Sequence, residues 1–552
     1  SGGGIAWTHQ VFHNLLHGRA FQSSLYASPE AGLSVGFSNN PHPYISTHAI
    51  HVNVLPYLFA PLWGLWPNLL WLYGLVFLYL YVGMATFAWK ILAWRSPRTA
   101  FIKWLLALAL LCSSACFFVF QQKVNFLVFS APLILAAYYW LLRERRGLFA
   151  LTIMLLCLVS EDAAMVACTF AVYLWWCEPR RRADACLAAA ISVLYLALAL
   201  FVIQPAARHE LTLVEQTTAA LIIKRLPEFS LRYLFDVAGL PAVLFFPAFA
   251  IAALVFGTSR LPLTRFLGLI VLAPLPHWAE TLVVGGGHHL TPVVSCLFLA
   301  LVLQLGETKD EPLRGVNLSR GRRLGLLLVM AVFVATNFRV VFSNLPPTLR
   351  APLNDLLGRR EAAARIRASL GEARGNHEVI RVANTIPPER SLVFLTNGSI
   401  EGFLVGRPDV WKFPYYYELV DFLLLQRGAH ESFFAFRPSP GTDPLTAVRR
   451  RQFAIDGSTN SPIPEALIEA VIAELVTRAQ THDLVVNSPS VVLLERRQKQ
   501  PFPVPPSTVG LGWLRGLRPP PHRGHRKTSA ESGVVARTPS ATRPEWDTRT
   551  AE

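Results

Sequence analysis

The sequence predicts an all-α polytopic membrane bundle joined to a small extracytoplasmic α/β domain. Three observations carry that prediction. Of 552 residues, 53% are hydrophobic and 16% charged, with a mean hydropathy of +0.38, against roughly 25% charged in ordinary soluble domains. From Asn68 to Phe342, apolar runs alternate with short charged loops. Beyond residue 350 the composition becomes mixed, with amphipathic and strand-like stretches.

The net charge of +16 comes from 51 Lys and Arg against 35 Asp and Glu, dispersed in clusters between the apolar runs. That pattern points to the lipid bilayer as partner and away from nucleic acid. The seven cysteines lie in or beside apolar stretches and form no CxxC pair, which argues against a disulfide framework or a zinc site. The chain opens Ser1-Gly-Gly-Gly without Met, and reads as a fragment whose first membrane helix is missing.

Residues 1–66 read as an extracytoplasmic first loop rich in His, Asn and aromatic residues, including His48-Ala-Ile-His51. Residues 67–343 read as the transmembrane bundle. Its segments are expected near 67–93, 101–119, 126–142, 148–160, 163–177, 184–203, 237–256, 264–278, 290–305 and 324–342. A straight span needs about 20 residues, so 148–160, 163–177 and 264–278 must be tilted, re-entrant or packed inside the bundle.

Charge sets the expected topology. Arg95/Arg98, Arg143/Arg145/Arg146, Arg180/Arg181/Arg182, Arg260/Arg265 and Arg320/Arg322/Arg323 fall in alternate loops, which the positive-inside rule places in the cytoplasm. An even number of crossings must then separate Arg143 from Arg180. Leu148 to Cys177 is therefore a hairpin with Ser160-Glu161-Asp162 at its outer tip. The expected product is a multi-pass protein of the cell (inner) membrane. Trp66, Trp71, Tyr73, Trp175 and Trp176 crowd segment ends as an interfacial aromatic belt.

Residues 350–498 read as an extracytoplasmic α/β domain. Leu353–Leu370 and Ile463–Gln480 have helical patterning, and Ser391–Thr396, Asp421–Leu425, Asp483–Val486 and Val491–Leu494 read as buried strands. Residues 500–552, dominated by Pro, Arg, Ser and Thr, read as a disordered tail.

Glu161 and Asp162 are the first candidates for chemistry. Acids amid lipid-like sequence are costly unless they face a polar cavity, and neighbouring carboxylates can divide proton acceptance from ligand orientation. The same pair also suits a helix N-terminus capped by Ser160. His48 and His51 share a face if helical and could bind phosphate, position an acceptor or hold a metal. Glu280, with Gly285-Gly-Gly-His288-His289, lies in an outer loop where the glycines permit close backbone approach to a ligand.

Val11-Phe-His-Asn-Leu-Leu-His-Gly-Arg19, His51-Val-Asn-Val-Leu-Pro-Tyr-Leu-Phe-Ala-Pro-Leu-Trp63 and Ser160-Glu-Asp162 resemble a prokaryotic polytopic membrane family, domain of unknown function 2079. Ile386-Pro-Pro-Glu-Arg-Ser-Leu-Val393, Gly406-Arg-Pro408 and Val492-Leu-Leu-Glu-Arg496 resemble its outer domain. The family is similar in layout to GT-C glycosyltransferases. This resemblance implies transfer of a sugar from a polyprenyl-phosphate donor at the outer membrane face, with a divalent cation as a potential cofactor. The chain departs from the family at Gly4-Ile5-Ala6, where Asp-Leu-Gly is usual, and at Asn125-Phe126-Leu127, where Asp-Phe-His is usual. The base is then Glu161 or Asp162, or the chain is an inactive member. A carrier or a lipid-binding assembly factor is the competing class.

Overall fold

Helices dominate the amino-terminal part, as the apolar runs require, and a mixed sheet organises the carboxy-terminal part. The computed structural model describes residues 3–19, 21–25, 45–49, 52–95, 129–208, 265, 268–277, 290–305, 347–356, 358, 360–361, 375–396, 400–407, 409–413, 420–431, 435–436, 453–454, 461–462 and 465–498. The segments expected near 101–119, 237–256 and 324–342, and the 500–552 tail, lie outside the described residues.

The main helices among the described residues of the amino-terminal part are α1 (Gly3–Leu16), α2 (Leu69–Arg95), α3 (Ser130–Leu142), α4 (Arg146–Cys157), α5 (Glu161–Cys177), α6 (Arg182–Leu198) and α7 (Leu290–Leu305). Among the described residues, Leu69–Trp94 and Pro179–Ala207 are long and apolar enough to cross a membrane, while Ser130–Leu142 and Arg146–Cys157 are shorter. Leu80, Met84, Ile153, Ala163, Ala167 and Leu299 are fully buried in one continuous core shared by these helices. Gly83 permits the close crossing of α2 over α3: a Cβ there would lie 2.9 Å from Pro132 Cβ.

Arginine-bearing loops gather at one end of the bundle. The Arg143 guanidinium lies 4.6 Å from the Trp94 ring centroid. Arg181 pairs with Glu144 at 3.2 Å, Arg146 with Asp184 at 3.1 Å, and Arg265 Nε donates to the Cys177 carbonyl at 2.7 Å. The chain therefore leaves this end along α4 and returns to it along α5. Residues 158–160 form the turn, and Ser160 is extended, with φ −172° and ψ 167°. One continuous helix from Leu148 to Cys177 is not what forms; the hairpin inferred from the charge pattern is.

A five-stranded mixed sheet carries the carboxy-terminal part. Its strands are β1 (Leu392–Leu395), β2 (Val410–Lys412), β3 (Phe422–Gln426), β4 (His482–Asn487) and β5 (Val491–Arg496). The spatial order is β4-β5-β3-β1-β2, with β1 parallel to both β2 and β3 and the other pairs antiparallel. Val393, Leu423, Leu425 and Val492 pack on the helix α8 (Glu465–Ile472) through Leu467, Ile468 and Val471. Phe394, Leu424 and Leu493 pack on the other side against Val379, Val382 and Ala383 from the helical residues 375–383. Two covered faces explain the nearly unbroken apolar runs of the central strands. All four strands expected from sequence form and β2 is the addition, but Asp483–Val486 is not the buried strand expected: β4 lies at the sheet edge, paired on one side only, and leaves Leu484 and Val485 39% and 50% exposed.

Candidate functional site at the hairpin tip

The hairpin turn places Glu161 at the first position of α5, with Ser160 as its N-cap: Ser160 Oγ accepts from the Ala163 N–H at 3.2 Å. The site grows from that carboxylate. Glu161 is buried. Its Oε2 accepts from the Val52 N–H at 3.0 Å, and its Oε1 accepts from Gln204 Nε2 at 3.3 Å. Both bonds lie beside the positive end of a helix, where a carboxylate interacts favourably with the macrodipole. Asp162, next along the helix, is half-buried.

Each partner is itself held. The Val52 carbonyl accepts from Tyr195 Oη at 2.7 Å, so both peptide groups flanking this residue are fixed. Val54 and Leu55 N–H groups donate to the Leu158 carbonyl at 2.9 and 2.8 Å, satisfying a carbonyl that the end of α4 would otherwise leave open. Gln204 follows a π-helical turn at Ala199–Ile203, and its N–H donates to the carbonyl of Ala199. Such turns insert one residue into a helix and commonly occur at functional positions.

His48 arrives on the same segment of chain. It lies in the 3-10 turn Thr47–Ala49, which packs beside Gln204–Arg208. Its half-buried ring sits 4.2 Å from the Phe21 ring and 6.2 Å from Tyr57. Thr47 Oγ1 shares a hydrogen bond with Tyr57 Oη at 3.0 Å. The structure thus brings the His48 segment and Glu161 to one end of the bundle, opposite the arginine loops. His51, Glu280, His288 and His289 lie outside the described residues. Among the described residues, no three His, Cys, Asp or Glu side chains cluster as metal ligands.

A second polar assembly joins the amino-terminal segment to the sheet. Gln10 is fully buried: its Oε1 accepts from Ser23 Oγ at 2.6 Å and from the Leu25 N–H at 3.2 Å. Its Nε2 donates to Ser24 Oγ at 2.5 Å, and Ser24 Oγ donates to the Val410 carbonyl. Arg19 pairs with Asp409 at 2.6 Å, and Leu25 enters the sheet's hydrophobic core. His9, His13 and His17 recur every four residues along and just beyond α1. The His13 and His17 rings stack at 4.1 Å. Burial, and then the neighbouring His17, His9, Arg407 and Arg19, push the His13 imidazole down to about 4.

Sequence reasoning found Glu161 and its cap but missed Gln204, Tyr195 and Gln10. Gln204 had a signal, since it is the first polar side chain after the apolar run of α6. The fourfold histidine spacing was likewise visible in a stretch read as a loop. No curated protein matches the sequence. A family model described as a predicted membrane protein, DUF2079, matches residues 8–427, a stretch that includes α1 from its sixth residue onward, the hairpin tip, Gln204 and strands β1 to β3. The chain belongs to the DUF2079 family of predicted membrane proteins.

Proposed function

We propose that this chain is a multi-pass protein of the cell (inner) membrane, working at the outer face as a GT-C-like glycosyltransferase on a polyprenyl-phosphate sugar donor. The observation that carries the reading is the convergence of the His48 segment, Glu161 and Gln204 at the end of the bundle opposite the arginine loops. With the arginines cytoplasmic, that end faces outward. The contacts of Arg19 and Ser24 with the sheet support placing residues 1–66 and 350–498 on the same outer side.

Depth favours an acid recessed from the surface. The 17 residues of α5 rise about 25 Å at 1.5 Å each, short of a hydrocarbon thickness of roughly 30 Å. A lipid-linked substrate and a carboxylate would meet there without full exposure to water. In this reading Asp162 accepts the proton of the acceptor and Glu161 orients it, while His48 and His51 face the donor phosphates. Glu280, His288 and His289 are assigned to substrate binding in the same proposal. A departing phosphate needs charge stabilisation, which histidines supply. A divalent cation would add to that stabilisation, and no proton transfer above depends on it.

One observation favours the non-catalytic alternative, a carrier, an assembly factor or an inactive member. Both Glu161 oxygens are already bonded within the protein, as a structural clamp requires. Activity of Asp162→Asn and Glu161→Gln with polyprenyl-phosphate sugar donors, at matched expression, separates the readings. Loss in Asp162→Asn with normal folding supports transfer; full activity in both variants removes the acids from the mechanism.

A further inference from the structure

The stretch between the acid site and the first long span has an unusual surface. Residues 55–64 form a 3-10 turn, Leu55–Phe59, running into a short helix, Ala60–Gly64. One face is buried through Leu55, Tyr57, Ala60 and Trp63. The opposite face is equally apolar yet uncovered: Leu58, Leu62, Leu65 and Trp66 are 60%, 48%, 78% and 67% exposed. Their spacing of four, three and one makes a single helical stripe. Water would penalise such a patch, and no charged residue interrupts the chain from Val52 to Trp89.

The polar groups of the bend are arranged for an apolar medium. Trp71 Nε1 donates to the Leu62 carbonyl at 2.8 Å, and Trp63 Nε1 donates to the Asn68 carbonyl at 3.2 Å. Asn68 Oδ1 caps α2 by accepting from the Trp71 N–H at 2.8 Å. Backbone at membrane depth must find its partners inside the protein, and here indoles and an asparagine supply them. The stripe then continues into the exposed apolar side of α2 at Leu70, Phe77 and Leu78.

We infer that residues 55–66 lie flat in the outer lipid interface, their Leu58-Leu62-Leu65-Trp66 ridge set among acyl chains, rather than forming part of an aqueous loop. The partner is the lipid bilayer itself, because the ridge is uncharged, continuous with a membrane-spanning helix and shared by a protein of a membrane family. Immediately upstream, Val52 reaches Glu161, so the ridge joins the leaflet to the acid site. This surface does not depend on what chemistry the site performs.

The test uses the full chain carrying p-benzoylphenylalanine at Leu62 or Leu65, reconstituted in phosphatidylethanolamine–phosphatidylglycerol vesicles. Leu78 on α2 serves as the lipid-facing reference and Val485, half-exposed on the sheet, as the aqueous one. Lipid adducts at Leu62 and Leu65 should come within about threefold of Leu78 and exceed Val485 by about tenfold or more, as burial in the headgroup–acyl boundary requires. Yields at the Val485 level, or cross-links to a second protein copy in place of lipid, overturn the inference.

Discussion

Removing the Glu161 carboxylate should unfasten the end of the bundle opposite the arginine loops. Glu161→Ala strands two donors, the Val52 N–H and the Gln204 amide, whose bonds measure 3.0 and 3.3 Å. Hydrogen bonds to a charged group contribute about 1.5–3 kcal/mol each, so the expected loss for the two is about 3–6 kcal/mol. Glu161→Gln keeps an acceptor for Val52, and Gln204 can turn its own carbonyl toward the new amide. That variant should lose only about 1–2 kcal/mol, from the charge assistance and from the 0.3–1 kcal/mol owed to the helix dipole. Ser160→Ala removes the cap bond and should cost about 1 kcal/mol. Denaturant midpoints in detergent micelles, read by size-exclusion chromatography, should rank wild type above Glu161→Gln and Ser160→Ala, with Glu161→Ala lowest. A Glu161→Ala midpoint equal to wild type would refute the clamp. Equal losses in the Ala and Gln variants would show that charge, and not the pair of bonds, matters.

Three other outcomes follow from the fold. A membrane-impermeant thiol reagent added outside sealed cells should label Val485→Cys and spare Arg145→Cys; equal labelling would defeat the proposed orientation. Gln10→Ala leaves Ser23, Ser24 and Leu25 groups without their buried partner and should weaken docking of α1 by about 2–4 kcal/mol. Hydrogen exchange in β2 reports it, and unchanged protection there would contradict the seam. His13 has a folded value of about 4 against an ordinary 6.5, so its neutral form is the one the fold accommodates. Its contribution is complete above pH 6.5 and drains away as the pH falls toward 4. His13→Gln should flatten the stability profile across that window, and an unaltered profile would dismiss the histidine.

What the sequence revealed depended on how local the cause was. The hairpin was legible because the Arg143 and Arg180 clusters had to share one side, and ion pairs such as Arg146–Asp184 now join those loops. The buried strands β1, β3 and β5 announced themselves through apolar runs that only a doubly covered sheet demands. Strand β2 has three residues, too few for a period, and pairs with β1 across a separate helix. Glu161 was visible as an acid in apolar surroundings, whereas its partners were not. Val52 contributes only a backbone N–H, which no side-chain pattern encodes, and Gln204 lies 43 positions away. The seam around Gln10 escaped for a similar reason: its link to the sheet runs through Ser24 to Val410, 386 positions later, which offers only a carbonyl.

The π-helical turn at Ala199–Ile203 sets the angular phase of everything beyond it. One surplus residue in a helix of 3.6 per turn rotates the following side chains by about 100° relative to an uninterrupted helix. Gln204 points at Glu161 only with that offset. A chain shortened by one residue within 199–203 would keep its composition, hydropathy and length of span almost intact, yet present a different side of the helix to the acid. The coupling between the long helix and the hairpin is thus encoded in a count of residues, and a comparison of relatives that tolerated a one-residue gap there would pass over it.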